Sequence, residues 1–139
     1  MGERVEANVR DAIGQTALLK ASMEGHEGVV RLLMGFDGVD VNVQDGLGET
    51  ALMKASSIRR AGAAITRALL QSATLDVNVK EKEGNTALIN ACTHGYEEVV
   101  QALMECSRVD VNTQNAKGDT ALIAAASAGQ GEVVKLLLK

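Results

Sequence analysis

The sequence predicts an all-α solenoid of helix-turn-helix units joined by short β-hairpin fingers, and three observations carry that prediction. The tripeptide Thr-Ala-Leu recurs at Thr16, Thr50, Thr86 and Thr120, one step of about 35 residues apart each time. Upstream of each copy the same frame returns, from Asn8 to Gly14, Asn42 to Gly48, Asn78 to Gly84 and Asn112 to Gly118. The apolar patterns inside each copy are too short to bury a face alone, because isolated helices below about 12–15 residues are marginal in water. Neighbouring copies must therefore supply one another's core.

The elements follow in order. In the first copy Leu18, Leu19, Ala21 and Ser22 fall at one-turn spacing and break at Gly25, which predicts a short amphipathic helix. Thr16 is its N-cap, the hydroxyl oxygen accepting from a backbone N–H that has no partner within the helix. A second helix of two to three turns is read from Val29-Val30-Arg31-Leu32-Leu33-Met34, closing near Gly35. The β-branched Val41-Asn42-Val43, followed by Asp45, Gly46 and Gly48, predicts a hairpin-like finger. The pattern divides the chain into a single domain of four repeats at approximately 7–41, 42–77, 78–111 and 112–139. The second copy is longer by two residues, with Ser57-Ile58-Arg59-Arg60-Ala61-Gly62 between its helices, so an extended turn is expected there.

This frame resembles that of the ankyrin repeat, which runs Asp-x-x-Gly-x-Thr-Pro-Leu-His-x-Ala-Ala-x-x-Gly-His and ends in Ala-Asp-Val-Asn. Here it reads Asp45-Gly-Leu-Gly48-Glu-Thr50-Ala-Leu52-Met-Lys-Ala55, with Asp40-Val-Asn42, Asp76-Val-Asn78, Asp110-Val-Asn112 and the Gly25-His26 step. The resemblance covers about residues 7 to 139. It departs from the family where the Pro becomes Ala17, Ala51, Ala87 and Ala121, and where the His becomes Leu19, Met53, Ile89 and Ile123. Apolar packing replaces the hydrogen bond that His gives in the family. Neither end carries an obviously polar capping repeat, which reads as an excised or engineered array.

Composition narrows the function. The 139 residues carry 46% apolar and 23% charged side chains, the balance of an ordinary globular domain. One Tyr, one Phe and no Trp leave no platform for stacked bases, and a net charge of −4 leaves no basic stripe for a phosphate backbone. Nucleic acid is therefore not an expected partner. No apolar run has the length of a membrane span, no signal-peptide h-region opens the chain, and Glu6 breaks a myristoylation pattern. A cytoplasmic protein with no membrane partner is expected.

Candidate chemistry is sparse. Ser22 and His26 lie four residues apart, a spacing that puts two side chains on one helix face, yet no carboxylate is in register to orient the imidazole. Cys92 and His94, two apart, diverge around a helix, and Cys92 falls at the inner position also held by Ser22, Ser56 and Ala126. Two Cys and two His scattered over different repeat positions hold no metal, Cys106 included. No phosphate-binding Gly-rich motif is present, and Arg59 and Arg60 read as a solvated turn. Neither catalysis nor a cofactor is expected.

What the family resemblance implies instead is recognition of a protein partner, or of another copy, through a concave face built from fingertips and the ends of first helices. In this chain those positions are Ala12, Ile13, Gln15, Met23 and Glu24; then Gly46, Leu47, Glu49, Ser57 and Ile58; then Lys82, Glu83, Asn85, Thr93 and His94; then Ala116, Lys117, Asp119, Ser127 and Ala128. Ile13, Leu47, Met23 and Ile58 are expected to form an exposed apolar patch on the first two repeats. Two other readings accompany this one. Small residues around Ala12, Ile13, Gly46, Leu47 and Ser57 suit an engineered scaffold with a pocket or an esterase-like site. The resemblance also implies that Asn42, Asn78 and Asn112 are positions where some members accept hydroxylation.

Overall fold

The computed structural model describes residues 4–139, and the elements come in pairs. They are α1 (Ala17–Met23) and α2 (Glu27–Met34), α3 (Ala51–Ser56) and α4 (Gly62–Leu70), α5 (Ala87–His94) and α6 (Glu97–Met104), α7 (Ala121–Ser127) and α8 (Gly131–Leu137). First helices pack on first helices, α1 on α3, α3 on α5 and α5 on α7, while second helices stack as α2, α4, α6 and α8. The result is two helical layers with fingers leading out of them.

Each first helix begins where its threonine predicts. The Oγ1 of Thr16, Thr50, Thr86 and Thr120 accepts from the backbone N–H three residues on, at 3.2–3.3 Å, and each such cap is worth about 1 kcal/mol. Leu18, Leu52 and Leu88 then point into the core at 1–2% exposure. Val41, Val43, Leu75 and Val77 close that core from the finger side.

Among the described residues the fingers contain no paired strand. Val41, Val43 and Val77 are buried while Val9 and Val111 of the first and last fingers are exposed, and the chain reverses in tight turns that a side chain organises. Asp45 Oδ1 accepts from the N–H groups of Leu47 and Glu49, both at 2.9 Å, and Asp11, Glu81 and Asn115 make the same pair of bonds in the other fingers. Successive tips are joined by Gly46 N–H to Ile13 O at 3.4 Å, Lys82 N–H to Leu47 O at 3.1 Å and Ala116 N–H to Glu83 O at 3.0 Å. That chain of single bonds replaces the expected hairpin ladder.

A second ladder runs at the base of the fingers. Asn42 donates through Nδ2 to Thr74 O at 2.9 Å and accepts from Asp76 N–H at 2.8 Å. Asn8 does the same with Gly38 and Asp40, and Asn78 with Arg108 and Asp110. The repeating asparagine is thus an inter-repeat clamp, because its amide offers a donor and an acceptor to the main chain of the next repeat at once.

The lengthened turn of the second repeat is where the sequence places it. Ala61 adopts φ 59°, the left-handed region, and Gly62 follows at the start of α4. A Cβ on Gly62 would stand 2.7 Å from Ala55 O and 3.3 Å from Val99 Cγ2. The insertion thus swings α4 onto α3 so closely that only glycine fits.

Inside α4, Thr66 occupies the position held by Val30, Val100 and Val134 in the other repeats, and its Oγ1 is buried without a hydrogen-bond partner. Thr66→Val is expected to raise stability by about 1 kcal/mol, since a buried unsatisfied hydroxyl is replaced by a methyl; an unchanged or lower denaturant midpoint contradicts this. Gly62→Ala should lose about 1–3 kcal/mol through backbone displacement, whereas Ala61→Gly relieves a left-handed alanine and should unfold no earlier than the wild type. Comparing the two variants by thermal melting separates the clash from simple loss of turn flexibility.

Candidate functional site

The fingertips and the C-terminal ends of the first helices share one face. Between the third and fourth repeats they enclose a groove of about 640 Å³, where Lys82, Glu83, Ala116 and Lys117 from the tips meet Thr93 of α5, Ser127 of α7 and its C-cap Ala128. Asn85 and Asp119 sit between the two sets, joined to the fingers through Asn115, whose Nδ2 donates to Asn85 Oδ1 at 2.9 Å. All the sequence-selected residues of these two repeats except His94 therefore line one cavity. His94 is exposed beside it, its Nδ1 2.7 Å from Asn90 O and its ring stacked on Tyr96 with centroids 5.2 Å apart.

The first two repeats are arranged differently. Ile13 and Leu47 are 61% and 59% exposed at neighbouring tips, with Ala12, Gly46, Glu24 and Ser57 exposed around them. Met23 and Ile58 are only half-buried members of the same region, and Ile58 packs against the core, its Cδ1 lying 3.9 Å from where a Cβ on Gly25 would stand. The four-residue apolar patch thus contracts to its two tips. Gln15 is a clear departure from expectation: it is 6% exposed, and its amide donates to Met23 Sδ at 3.9 Å, because the finger turn folds it inward under the tip. It offers no side chain to a partner.

The two halves of the face also differ four residues after each capping threonine. That position is Lys20, Lys54, Asn90 and Ala124. Lys54 Nζ reaches Asp45 Oδ2 at 2.8 Å and also pairs with Glu49, and its side chain is only 10% exposed. Lys20 lies 3.8 Å from Asp11 in the first repeat, in a looser and more exposed pair. In the fourth repeat Ala124 leaves that volume empty, and it lines the groove. This column is legible in the sequence as Lys20, Lys54, Asn90 and Ala124, the one signal there that separates the filled second repeat from the open fourth.

Electrostatics follow the same geometry. Burial works against the charge on Asp45, yet the Lys54 ammonium and the N–H groups of Glu49 and Leu47 outweigh it and hold the carboxyl below its usual range. Burial likewise opposes the charge on Lys54, and its two carboxylates outweigh that and raise it. Asp11 is lowered mainly by the N–H of Gln15. Cys92 is fully buried and pushed up to about 12 by that burial, which makes it an inert core thiol. Ser22 is sealed at 0% exposure with no partner for its hydroxyl, while His26 is exposed at the start of α2, so the pair is not brought together. Ser57 Oγ is taken up by Met53 O at 3.1 Å.

Asp45 with a lowered pKa contributes stability that is full above the ordinary carboxylate range and is lost as pH falls through the lowered value. Lys54, raised, contributes below the ordinary lysine range and loses its contribution as pH climbs past the raised value. Lys54→Met should therefore cost about 2 kcal/mol at neutral pH, and the gap from wild type should narrow as acid protonates Asp45. A gap independent of pH in denaturant titrations removes the electrostatic account.

The chain matches the family model described as ankyrin repeats, three copies, over residues 1–81 and again over 57–139. No curated protein matches it. No helix among the described residues is long and apolar enough to cross a membrane. Four helix pairs in two layers, capping threonines at a fixed step and a clamp of asparagines between repeats are the structural counterpart of that match, and the chain belongs to the ankyrin-repeat family.

Proposed function

We propose that this chain binds a protein partner through its concave face, with the fingertips and first-helix ends as the contact, in keeping with the general role of ankyrin repeats as modules for protein–protein interaction. The observation that carries this reading is the pair Ile13 and Leu47, two large apolar side chains held out at adjacent tips by the Gly46–Ile13 bond. Ordinary tips carry charge, as Glu83 and Lys117 do here. Two neighbouring apolar tips hold unfavourable apolar surface in water, and a partner that covers them gains the free energy of removing it.

The groove of the third and fourth repeats continues the same face and supplies polar groups to fix orientation. Lys82, Glu83, Lys117 and Asp119 offer both signs of charge around a floor of Ala124 and Ala128. An apolar anchor at one end and a mixed polar groove at the other is the division that protein interfaces use, with the buried contact giving affinity and the rim giving register. The partner is thus a folded protein or peptide that spans several repeats. The two unpaired cysteines, Cys92 buried and Cys106 half-buried, suit a reducing compartment, and the cytoplasm is the proposed setting. No catalytic step is assigned, because nucleophile and base do not meet at the positions where the sequence holds them.

Ile13→Asp with Leu47→Asp is expected to leave the melting temperature within a degree or so of wild type, since both sites lie outside the stack. Full coverage of either side chain contributes about 1.5–3 kcal/mol, so the double variant should lose partner binding by at least tenfold. Photo-crosslinkers placed at positions 13, 47 and 127, against one on the second-helix side at Lys135, show which face a captured protein touches. Crosslinks confined to position 135, or undiminished capture by the folded double variant, defeat the reading.

A further inference from the structure

Each repeat sets three equivalent positions on its recognition face: the fingertip residue that accepts two backbone N–H groups, the residue four further on, and the residue four after the capping threonine. They read Asp11, Gln15 and Lys20 in the first repeat and Asp45, Glu49 and Lys54 in the second. In the third they read Glu81, Asn85 and Asn90, and in the fourth Asn115, Asp119 and Ala124. Lys54 of the second repeat lies 2.8 Å from Asp45 Oδ2 and also pairs with Glu49, so the carboxylate at the middle position is met by an ammonium from its own helix. The first and third repeats carry a neutral amide at that middle position and have no such carboxylate to answer. The fourth repeat keeps the carboxylate and drops the lysine, and Asp119 has no ion pair among the described residues.

The segment that carries Asp119 is fixed by its neighbours. Its N–H donates to Asn115 Oδ1 at 2.9 Å, and Asn115 Nδ2 donates in turn to Asn85 Oδ1 of the preceding repeat at 2.9 Å. Asn115 is thereby committed, and Asp119 is the half-buried acid of the groove, while Lys82, Glu83 and Lys117 stand exposed at the tips. Ala124, only 8% exposed, and Ala128 give the groove an apolar floor where the second repeat has the stem of Lys54. A cavity of about 640 Å³ with an alanine floor and one uncompensated carboxylate suits a side chain that has an apolar stem and a cationic end. A half-buried carboxylate is less well hydrated than one on the open surface, so a cation brought to it forms a charge-assisted contact at a smaller cost of lost water.

We infer that the groove between the third and fourth repeats receives a lysine side chain of the protein partner, its stem along Ala124 and Ala128 and its ammonium at Asp119. The second repeat supplies the precedent inside the same molecule, since Lys54 fills the equivalent volume from its own helix and pairs with Glu49, the counterpart of Asp119. What the exchange of lysine for alanine removes from the fourth repeat is the remainder of a lysine side chain, and the partner returns it. Lys82 and Lys117 at the rim repel a bare cation from solvent, so the lysine arrives on a chain segment whose other contacts carry it past them. This inference rests on the concave-face reading, because it needs a protein on that face, but it uses Asp119 and Ala124 and not the tips Ile13 and Leu47.

The test is selection of random dodecapeptides, displayed on phage, against the intact protein, followed by affinity measurements on Ala124→Lys, which fills the groove from within, and on Asp119→Asn, which removes its charge. Circular dichroism checks that each variant is folded; should Ala124→Lys unfold, Asp119→Asn at its half-buried site carries the test. The expected result is a set of peptides that share one lysine and bind either variant about tenfold more weakly than the wild type. Replacing that lysine by norleucine, which keeps the stem and drops the charge, should cost as much on the wild type and nothing further on Asp119→Asn. Groove-dependent peptides that share an arginine, an acidic residue or no charged residue overturn the proposal, as does norleucine binding as well as lysine. Peptides weakened by Ile13→Asp with Leu47→Asp but indifferent to both groove variants overturn it and leave the concave-face reading standing. Failure to select any peptide sensitive to either set of variants removes both.

Discussion

A helix of six to nine residues has no stability of its own in water, and the eight helices among the described residues all fall in that range. Everything else depends on how the neighbouring repeat is held against it. Two kinds of contact do this. Apolar side chains of one repeat fill the face of the next, which is why Leu18, Leu52 and Leu88 are buried alike. Between the fingers, a single asparagine amide satisfies both a carbonyl and an N–H of the neighbouring chain segment. The first contact supplies the energy and the second supplies the register, because a slip by one residue would leave both polar groups of the amide unpaired.

This division of labour explains how the face of the molecule can vary without harm to the fold. The capping threonine, the fingertip carboxylate or amide and the clamping asparagine are repeated nearly unchanged, and they lie beneath the surface or along the seam. The position four residues after the cap is not part of either contact. It holds a lysine drawn into two carboxylates in the second repeat and an alanine in the fourth, and this one column converts a filled surface into a groove. Volume and charge on the recognition face are thus set by side chains that the stack does not use.

The second repeat shows the same tolerance on the other side of the molecule. Two additional residues are absorbed in the turn between α3 and α4, at the expense of a left-handed alanine and a glycine pressed against Ala55 O. The helices on either side keep their partners, since α3 still packs on α5 and α4 on α6. A strain confined to a turn leaves the repeat junctions intact because those junctions are made by the helix flanks and the finger bases.

The sequence by itself determined the repeat, its step, the helix starts and the apolar rows, because each of these rests on local chemistry: a threonine hydroxyl three residues from an N–H, a leucine every turn, a glycine at a stop. It also marked Ile13 and Leu47 as exposed, since their counterparts Glu83 and Lys117 are charged. Only the tertiary structure decided the fate of Gln15, drawn under its own finger, and of Ile58, laid on the core by the longer turn. It alone showed that the fingers are linked tip to tip through single bonds without paired strands, and that the asparagines clamp successive repeats. These features join residues about 30 or more positions apart. Local periodicity identifies which residues are equivalent, but which of two equivalent surfaces is covered depends on whether a neighbour stands beside it, and that is a property of the stack.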